Sequence, residues 1–352
     1  MHDTDLPTQH NGNHTHPYSG DAIIQIEHLT RAFGTHIAIN DLSLEVRTGE
    51  IFGFLGHNGA GKTTTVRMLN GLLEPTHGFA RVFGLDPVTQ GAQLRQRTGV
   101  LTETPSLDNR MTGFENLAMY AAVYGLSTQV ARARIGELLT VFGLEDRAKD
   151  RVAGYSKGMK QRLALARALV HQPDMIFLDE PASGLDPVVT RQLHELILHL
   201  SRNEGKTVFL CTHNLGEAQK LCQRVAVLQH GHLLALGTPS ELARDIVSEI
   251  SLKIEIDLTQ ADSARAVLAR FTTAPATSDA TGLSVAGIRR DQIPDVIAAL
   301  VVDGVRVYRV DHDEPTLEDV YFALHTTSPQ AMAGSLENAK KEAVNKAEKE
   351  LA

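Results

Sequence analysis

Gly56-His57-Asn58-Gly59-Ala60-Gly61-Lys62-Thr63 follows the apolar run Ile51-Phe52-Gly53-Phe54-Leu55 and precedes Thr64-Thr65-Val66-Arg67-Met68-Leu69. The run before it predicts a buried strand, and the stretch after it predicts a helix. Strand, glycine loop and helix, in that order, form the setting in which G-x-x-x-x-G-K-[ST] binds nucleotide phosphate. Glycines let successive backbone N–H groups turn into one anion-sized nest, where a Cβ would meet the phosphate oxygens. The amides of Gly56 to Gly61 and of Thr64 are therefore candidate phosphate ligands, above a helix N-terminus that carries partial positive charge. Lys62 is expected to reach the β- and γ-phosphates, and the Thr63 hydroxyl to hold Mg²⁺.

Further along, Met175-Ile176-Phe177-Leu178-Asp179-Glu180 reads as a second buried strand, closed by two adjacent carboxylates. An acid ending such a strand lies beside the nucleotide and helps hold the metal, the role expected of Asp179. Glu180 is then placed to polarise a water towards the γ-phosphate. Thr207-Val208-Phe209-Leu210-Cys211-Thr212-His213 is another apolar strand ending in a polar pair, and ligands of open α/β sheets bind at that end. Phe33, between the first two strands, reads equally as a core residue or as a face on which an adenine stacks.

Around these segments the chain is that of an ordinary soluble protein of 352 residues, long enough for two domains. Its net charge of −8 argues against nucleic-acid binding through a basic surface. Cys211 and Cys222 lack metal-type spacing, which fits a reducing compartment. The longest apolar run, Val296 to Val302, is too short to cross a bilayer, and no signal-peptide pattern opens the chain. A membrane role is thus expected to come through a partner.

Residues 1–21 are polar and His-rich, the composition of a disordered tail. Strands are expected from about Ala22, at Ile37 to Val46, at Gly78 to Gly84 and at Gly99 to Leu101. From Thr112 to about Leu169 the pattern is helical, opening on the capping box Thr112-Gly113-Phe114-Glu115, with a helix from Val130 to Phe142. This helical insertion, about 104–170, is too long for an ordinary crossover. Beyond 240, Leu252, Ile254, Ile256 and Leu258 alternate as a strand. A helix (Asp262 to Phe271), a strand (Leu283 to Ile288), a helix (Pro294 to Val302) and a strand (Val305 to Val310) follow. Residues 241–327 thus read as a small α+β domain, and 328–352 as a charged tail with helical Glu–Lys pairs.

With these residues in hand, the chain resembles the nucleotide-binding subunit of ATP-binding cassette (ABC) transporters over roughly residues 23–240. Tyr155-Ser156-Lys157-Gly158-Met159-Lys160-Gln161-Arg162 is similar to the family's signature loop, usually Leu-Ser-Gly-Gly-Gln; Tyr155, Lys157 and Met159 depart from it. Ser183-Gly184-Leu185-Asp186-Pro187 resembles the loop that crosses the dimer interface, and His213 the switch histidine at the γ-phosphate. Phe33 falls where the family places its adenine-stacking aromatic. Glu103 falls near the glutamine that links Mg²⁺ to the helical insertion. The segment Glu314-Pro315-Thr316-Leu317-Glu318-Asp319-Val320-Tyr321 resembles a C-terminal extension of bacterial exporters of drugs, polysaccharides, lipids or sodium.

The resemblance implies a P-loop NTPase fold: a RecA-like core with an antiparallel β subdomain, a helical insertion and a C-terminal α+β domain. It also implies an ATPase using Mg²⁺, with Glu180 and His213 catalytic and with Ser156 and Gly158 completing a partner's site. A homodimer sandwiching two ATP molecules on a membrane permease, at the inner face of the cell membrane, is the expected assembly. The alternative is a soluble ATPase of this class acting on the ribosome or DNA. Those relatives usually carry two cassettes or a long coiled coil, and neither is present. A nucleotide-gated regulator without turnover is a further alternative, against which the intact Glu180 argues.

Overall fold

A computed structural model describes residues 22–247 and 249–326. The expected tails, 1–21 and 328–352, lie outside these residues. Two long strands, β1 (Ala22–Phe33) and β2 (His36–Arg47), form a hairpin ahead of β3 (Ile51–Leu55), which feeds the glycine loop and α1 (Lys62–Leu69). Next come β4 (His77–Val82), α2 (Pro87–Arg95) and β5 (Thr98–Leu101), then the inserted helices α3 (Gly113–Val123), α4 (Thr128–Val141) and α5 (Lys157–Ala168). The chain returns through β6 (Met175–Asp179), α6 (Pro187–Arg202), β7 (Thr207–Thr212), α7 (Leu215–Leu221), β8 (Arg224–Gln229) and β9 (His232–Gly237).

The main sheet has the order β5-β6-β7-β3-β8-β9 and is parallel except for β9. Every residue of β3, β6 and β7 is buried, because both faces of the sheet are covered. On one face Phe209 packs against Phe52, Phe54 and Phe177, with ring centroids 5.1 to 5.6 Å away, beneath the antiparallel sheet β2-β1-β4. On the other face Ile51, Leu55, Ile176, Leu178, Val208 and Leu210 pack against the helices. Alternation along each strand thus divides one apolar run between two cores. The parallel pairing of β3, β6 and β7 sends their carboxyl ends to one edge, where the glycine loop, the acid pair and His213 meet.

The capping box expected at Thr112 opens α3: Glu115 N–H donates to Thr112 Oγ1 (3.1 Å), and Thr112 N–H donates back to Glu115 Oε2 (2.8 Å). The second inserted helix starts earlier than its apolar pattern, at Thr128, because Ser127 caps it. The expected strand at Gly78 to Gly84 ends at Val82, where Phe83 and Gly84 turn with φ of 55° and 74°.

After β9 the chain forms α8 (Pro239–Ile246), β10 (Glu249–Ile256), α9 (Ala261–Leu268), β11 (Thr277–Ser278), β12 (Gly282–Arg289), α10 (Ile293–Val302), β13 (Val307–His312) and α11 (Leu317–Thr326). The antiparallel sheet β11-β12-β10-β13 closes over a separate apolar core with α9 and α10. Leu258 does not extend its strand as the alternation predicts. The Asp257 carboxylate accepts from Thr259 N–H and Oγ1 (3.0 and 2.7 Å), turning the chain and leaving Leu258 exposed. Val305 likewise precedes its strand, its N–H closing α10 on Leu300 O. The two flanking helices behave differently from the small sheet: Leu242 and Ala243 of α8 and Leu317, Val320 and Leu324 of α11 join the core of the main sheet. Gln219 Oε1 on α7 accepts the Leu317 N–H at 3.0 Å, fastening α11 there.

Candidate functional site

The glycine loop is shaped by close packing. Gly61 has φ of 108°, and a Cβ there would stand 2.6 Å from the Ala38 carbonyl oxygen. At Gly56 a Cβ would stand 2.7 Å from the Leu228 carbonyl oxygen. Neither position accepts a side chain, so the loop lies flat on β2 and β8. Gly61 ends the loop without a side-chain cap on α1, which leaves first-turn N–H groups for an anion.

Lys62, 6% exposed, folds its side chain back under this loop and donates to Gly56 O at 2.6 Å. Its Nζ is also 3.4 Å from Glu180 Oε1, and His213 Nδ1 approaches the same oxygen to 2.8 Å. One nearly buried carboxylate oxygen therefore faces an ammonium and an imidazole. Glu180 itself is a non-glycine residue at φ of 49°, its N–H still paired to Cys211 O at 2.9 Å. Beside it the Thr63 hydroxyl donates to Asp179 Oδ2 at 2.7 Å. Burial pushes the Asp179 carboxyl above the ordinary range, the Thr63 bond opposes this, and the charges of Glu180 and Glu103 add to the rise. Ionised Asp179 thus weighs against folding, with a penalty that grows as pH rises through the carboxylate range. A cation beside it would remove that penalty.

These groups open into one cavity of about 470 Å³, lined by the glycine loop, Phe33, His36, Glu103, Asp179 and Glu180. Phe33 ends β1 at the rim, nearly half exposed, with the Arg31 guanidinium 4.5 Å from its ring centroid. It is not a core residue. Glu103 is exposed, yet it stands on the cavity wall and within electrostatic reach of Asp179. His57, Asn58, Gly59, Gly61, Thr63 and Thr64 line the same space, whereas Gly56 and Ala60 are buried beneath it.

Ser156 and Gly158 do not line this cavity. Ser156 caps α5, its Oγ accepting from Met159 N–H at 3.2 Å, and Gly158 lies against Val189, to which a Cβ would come within 3.0 Å. The unusual Tyr155 is accommodated by donating its hydroxyl to Arg147 O at 2.6 Å. Gln161 Nε2 donates to Pro181 O at 2.7 Å and joins α5 to the residue after Glu180. Sequence reasoning missed this link, and missed His36 and Ala38, which reach the cavity only because the hairpin folds over the loop. The residues present suit a magnesium nucleotide: a Gly61 turn with uncapped amides, a buried ammonium, and a hydroxyl–carboxylate pair offering hard oxygens.

A parallel sheet with a phosphate loop and an acid pair at its carboxyl edge defines a P-loop nucleoside triphosphatase. Residues 39–183 match the family described as ABC transporter. The chain is 33% identical over 302 residues to an uncharacterized ABC transporter ATP-binding protein, YhcH, of Bacillus subtilis, covering 86% of this chain and 95% of that protein. It is 38% identical to the daunorubicin/doxorubicin resistance ATP-binding protein DrrA of Streptomyces peucetius, covering 86% and 92%. A solved ATP-binding subunit of an ABC transporter superimposes with a TM-score of 0.58 at 32% identity, covering 63% of this chain and 92% of that one. The cbiO1 subunit of the Clostridium perfringens cbiONQ complex superimposes with a TM-score of 0.59 at 25% identity, covering 71% and 96%. The chain belongs to the ATP-binding proteins of ABC transporters.

Proposed function

We propose that this chain hydrolyses ATP to drive export through a separate membrane permease, as a homodimer with two nucleotides held between its cassettes. The observation that carries this reading is the single cavity into which Lys62, Thr63, Asp179 and Glu180 converge. When bound, the magnesium nucleotide supplies the scissile phosphoanhydride and a cation that offsets its charge. Lys62 and the loop amides bind the phosphates, Thr63 and Asp179 hold the metal, and Phe33 offers the adenine a face. Glu180 orients a water and takes its proton, while His213 fixes the Glu180 carboxylate and contacts the γ-phosphate. Positioning and charge stabilisation account for most of such catalysis.

Ser156 and Gly158 stand outside this chain's own cavity, as residues completing a partner's site would. Residues 22–240 form the ATPase unit of the proposal and 241–327 an accessory domain. Relatives named for Nod factor export, daunorubicin/doxorubicin resistance and bacitracin transport favour export as the direction. Affinity purification from detergent-solubilised membranes tests the assembly, and a multi-spanning membrane protein is expected in the eluate. Recovery with ribosomes or DNA instead would overturn the permease.

Glu103 adds a test of the metal site. A carboxylate on the cavity wall near Asp179 adds negative charge where the triphosphate sits, and a cation relieves it. Glu103→Gln is therefore expected to flatten the Mg²⁺ dependence of the ATPase rate and weaken apparent Mg²⁺ affinity about threefold, with ATP binding similar. Superimposable Mg²⁺ titrations of the two proteins would remove Glu103 from the site.

A further inference from the structure

A second cavity, of about 680 Å³, lies where α7 and α8 of the main core meet β10, the ends of β12 and β13 and the turn into α11. It shares no lining residue with the cavity of Lys62 and Glu180. Its volume suits a drug-sized molecule, and junctions between packed units are common places for such sites. Part of the lining is apolar: Ala243 and Ile250 are buried, and Val247 and Pro315 are half-buried.

The polar part of the lining offers donors. Of its three arginines, two are occupied. Arg289 forks onto Asp291 with two contacts of 3.1 Å, and Arg244 Nε is 3.5 Å from Asp245 Oδ1. Arg290, exposed, has no acidic partner among the described residues. Gln219 adds a donor of fixed sense: its Oε1 accepts the Leu317 N–H at 3.0 Å, which leaves its Nε2 over. Ser240, in the first turn of α8, contributes a hydroxyl. A guanidinium presents two parallel N–H groups, and a carboxylate matches both. One unpaired cation suits one negative charge. Glu314 on the same wall would repel a dianion such as a phosphate monoester.

We propose that this cavity binds a small organic monocarboxylate with an apolar body. Arg290 takes the carboxylate, with Gln219 Nε2 and the Ser240 hydroxyl as further donors, and the apolar side chains take the body. A ligand seated there bridges the main core and the small sheet, since its walls come from both. Nothing in this depends on how ATP is bound or hydrolysed. Dansylglycine is a suitable probe, a carboxylate on an aromatic body whose fluorescence rises as it leaves water. The full chain contains no tryptophan to interfere. It should bind dansylglycine with a Kd of about 10–100 μM, unchanged by saturating Mg·ADP. Dansylamide, which keeps the body and lacks the carboxylate, should bind about tenfold more weakly, the effect of a lost charge-assisted hydrogen bond.

Arg290→Ala changes an exposed side chain and leaves the core intact. It should weaken dansylglycine about tenfold and leave dansylamide within about twofold. Ser240→Glu is the second variant, also exposed, and an acid in a first helical turn favours the helix. Its charge should weaken dansylglycine by about threefold or more, again without effect on dansylamide. The proposal is overturned by no binding of dansylglycine, by equal affinity for the two probes, or by wild-type affinity in Arg290→Ala. Displacement by Mg·ADP would put the probe in the nucleotide cavity and overturn it too. So would binding that appears only in a chain ending at Thr326, which would give the cavity to the residues that follow α11.

Discussion

Glu180→Gln is expected to bind Mg·ATP at least as tightly as the wild type and to hydrolyse it at least about 100-fold more slowly, the usual loss on removing a general base. Glutamine keeps the side-chain volume in a pocket where the residue is 7% exposed, so the fold is not at issue. What disappears is a negative charge 3.4 Å from Lys62 and an oxygen basic enough to take a proton from water. With hydrolysis blocked, a nucleotide-sandwiched dimer should accumulate. Sedimentation velocity of the variant should show a monomer without nucleotide and a dimer with ATP. Normal turnover would exclude Glu180 as the base, and a monomer under saturating ATP would count against the sandwich.

The second large effect is expected at Lys62. Lys62→Ala removes a buried ammonium that now bonds Gly56 O at 2.6 Å and is pre-positioned under the loop. Charge-assisted bonds of this kind contribute about 1.5–3 kcal/mol each. ATP affinity, followed by fluorescent-nucleotide titration with Mg²⁺, should fall by one to two orders of magnitude. The cavity loses the cation opposed to Asp179 and Glu180, so an unfolding scan should accompany the titration and establish that the variant is folded. Affinity equal to the wild type in a folded variant would sink the phosphate-loop assignment.

Much of this site was legible because its residues announce themselves locally. A fully buried five-residue strand before Gly56, and another that ends on Asp179, can be read from their apolar runs, since strands covered on both faces are nearly all apolar. The capping box at Thr112 was readable for the same reason: both bonds join residues three apart. What the sequence hid depends on contacts between distant segments. His194 and Glu217 lie 23 residues apart and meet only because α6 and α7 lie side by side. Gln161 and Pro181 are joined across 20 residues. Leu258 misled because its apolar character continued a period-two pattern, while the neighbouring Asp257 had already turned the backbone. The return of α11 to the main core was equally invisible, for its three buried side chains say only that something covers them.

Glu180 stands in a backbone conformation that only glycine adopts without strain, and it holds a carboxylate away from water. Strain of that kind amounts to about 1–3 kcal/mol. Neither the turn nor the packing requires glutamate there. A glycine at this position would relax the backbone and abolish the desolvation in one step, at the expense of the chemistry. Selection for folding alone gives no reason to keep a glutamate here, and under the proposed function its place is a matter of use rather than of architecture. If Glu180 serves the proposed hydrolysis, a lineage released from that reaction should let position 180 drift early, while Phe209 and its ring neighbours stay where the sheet needs them.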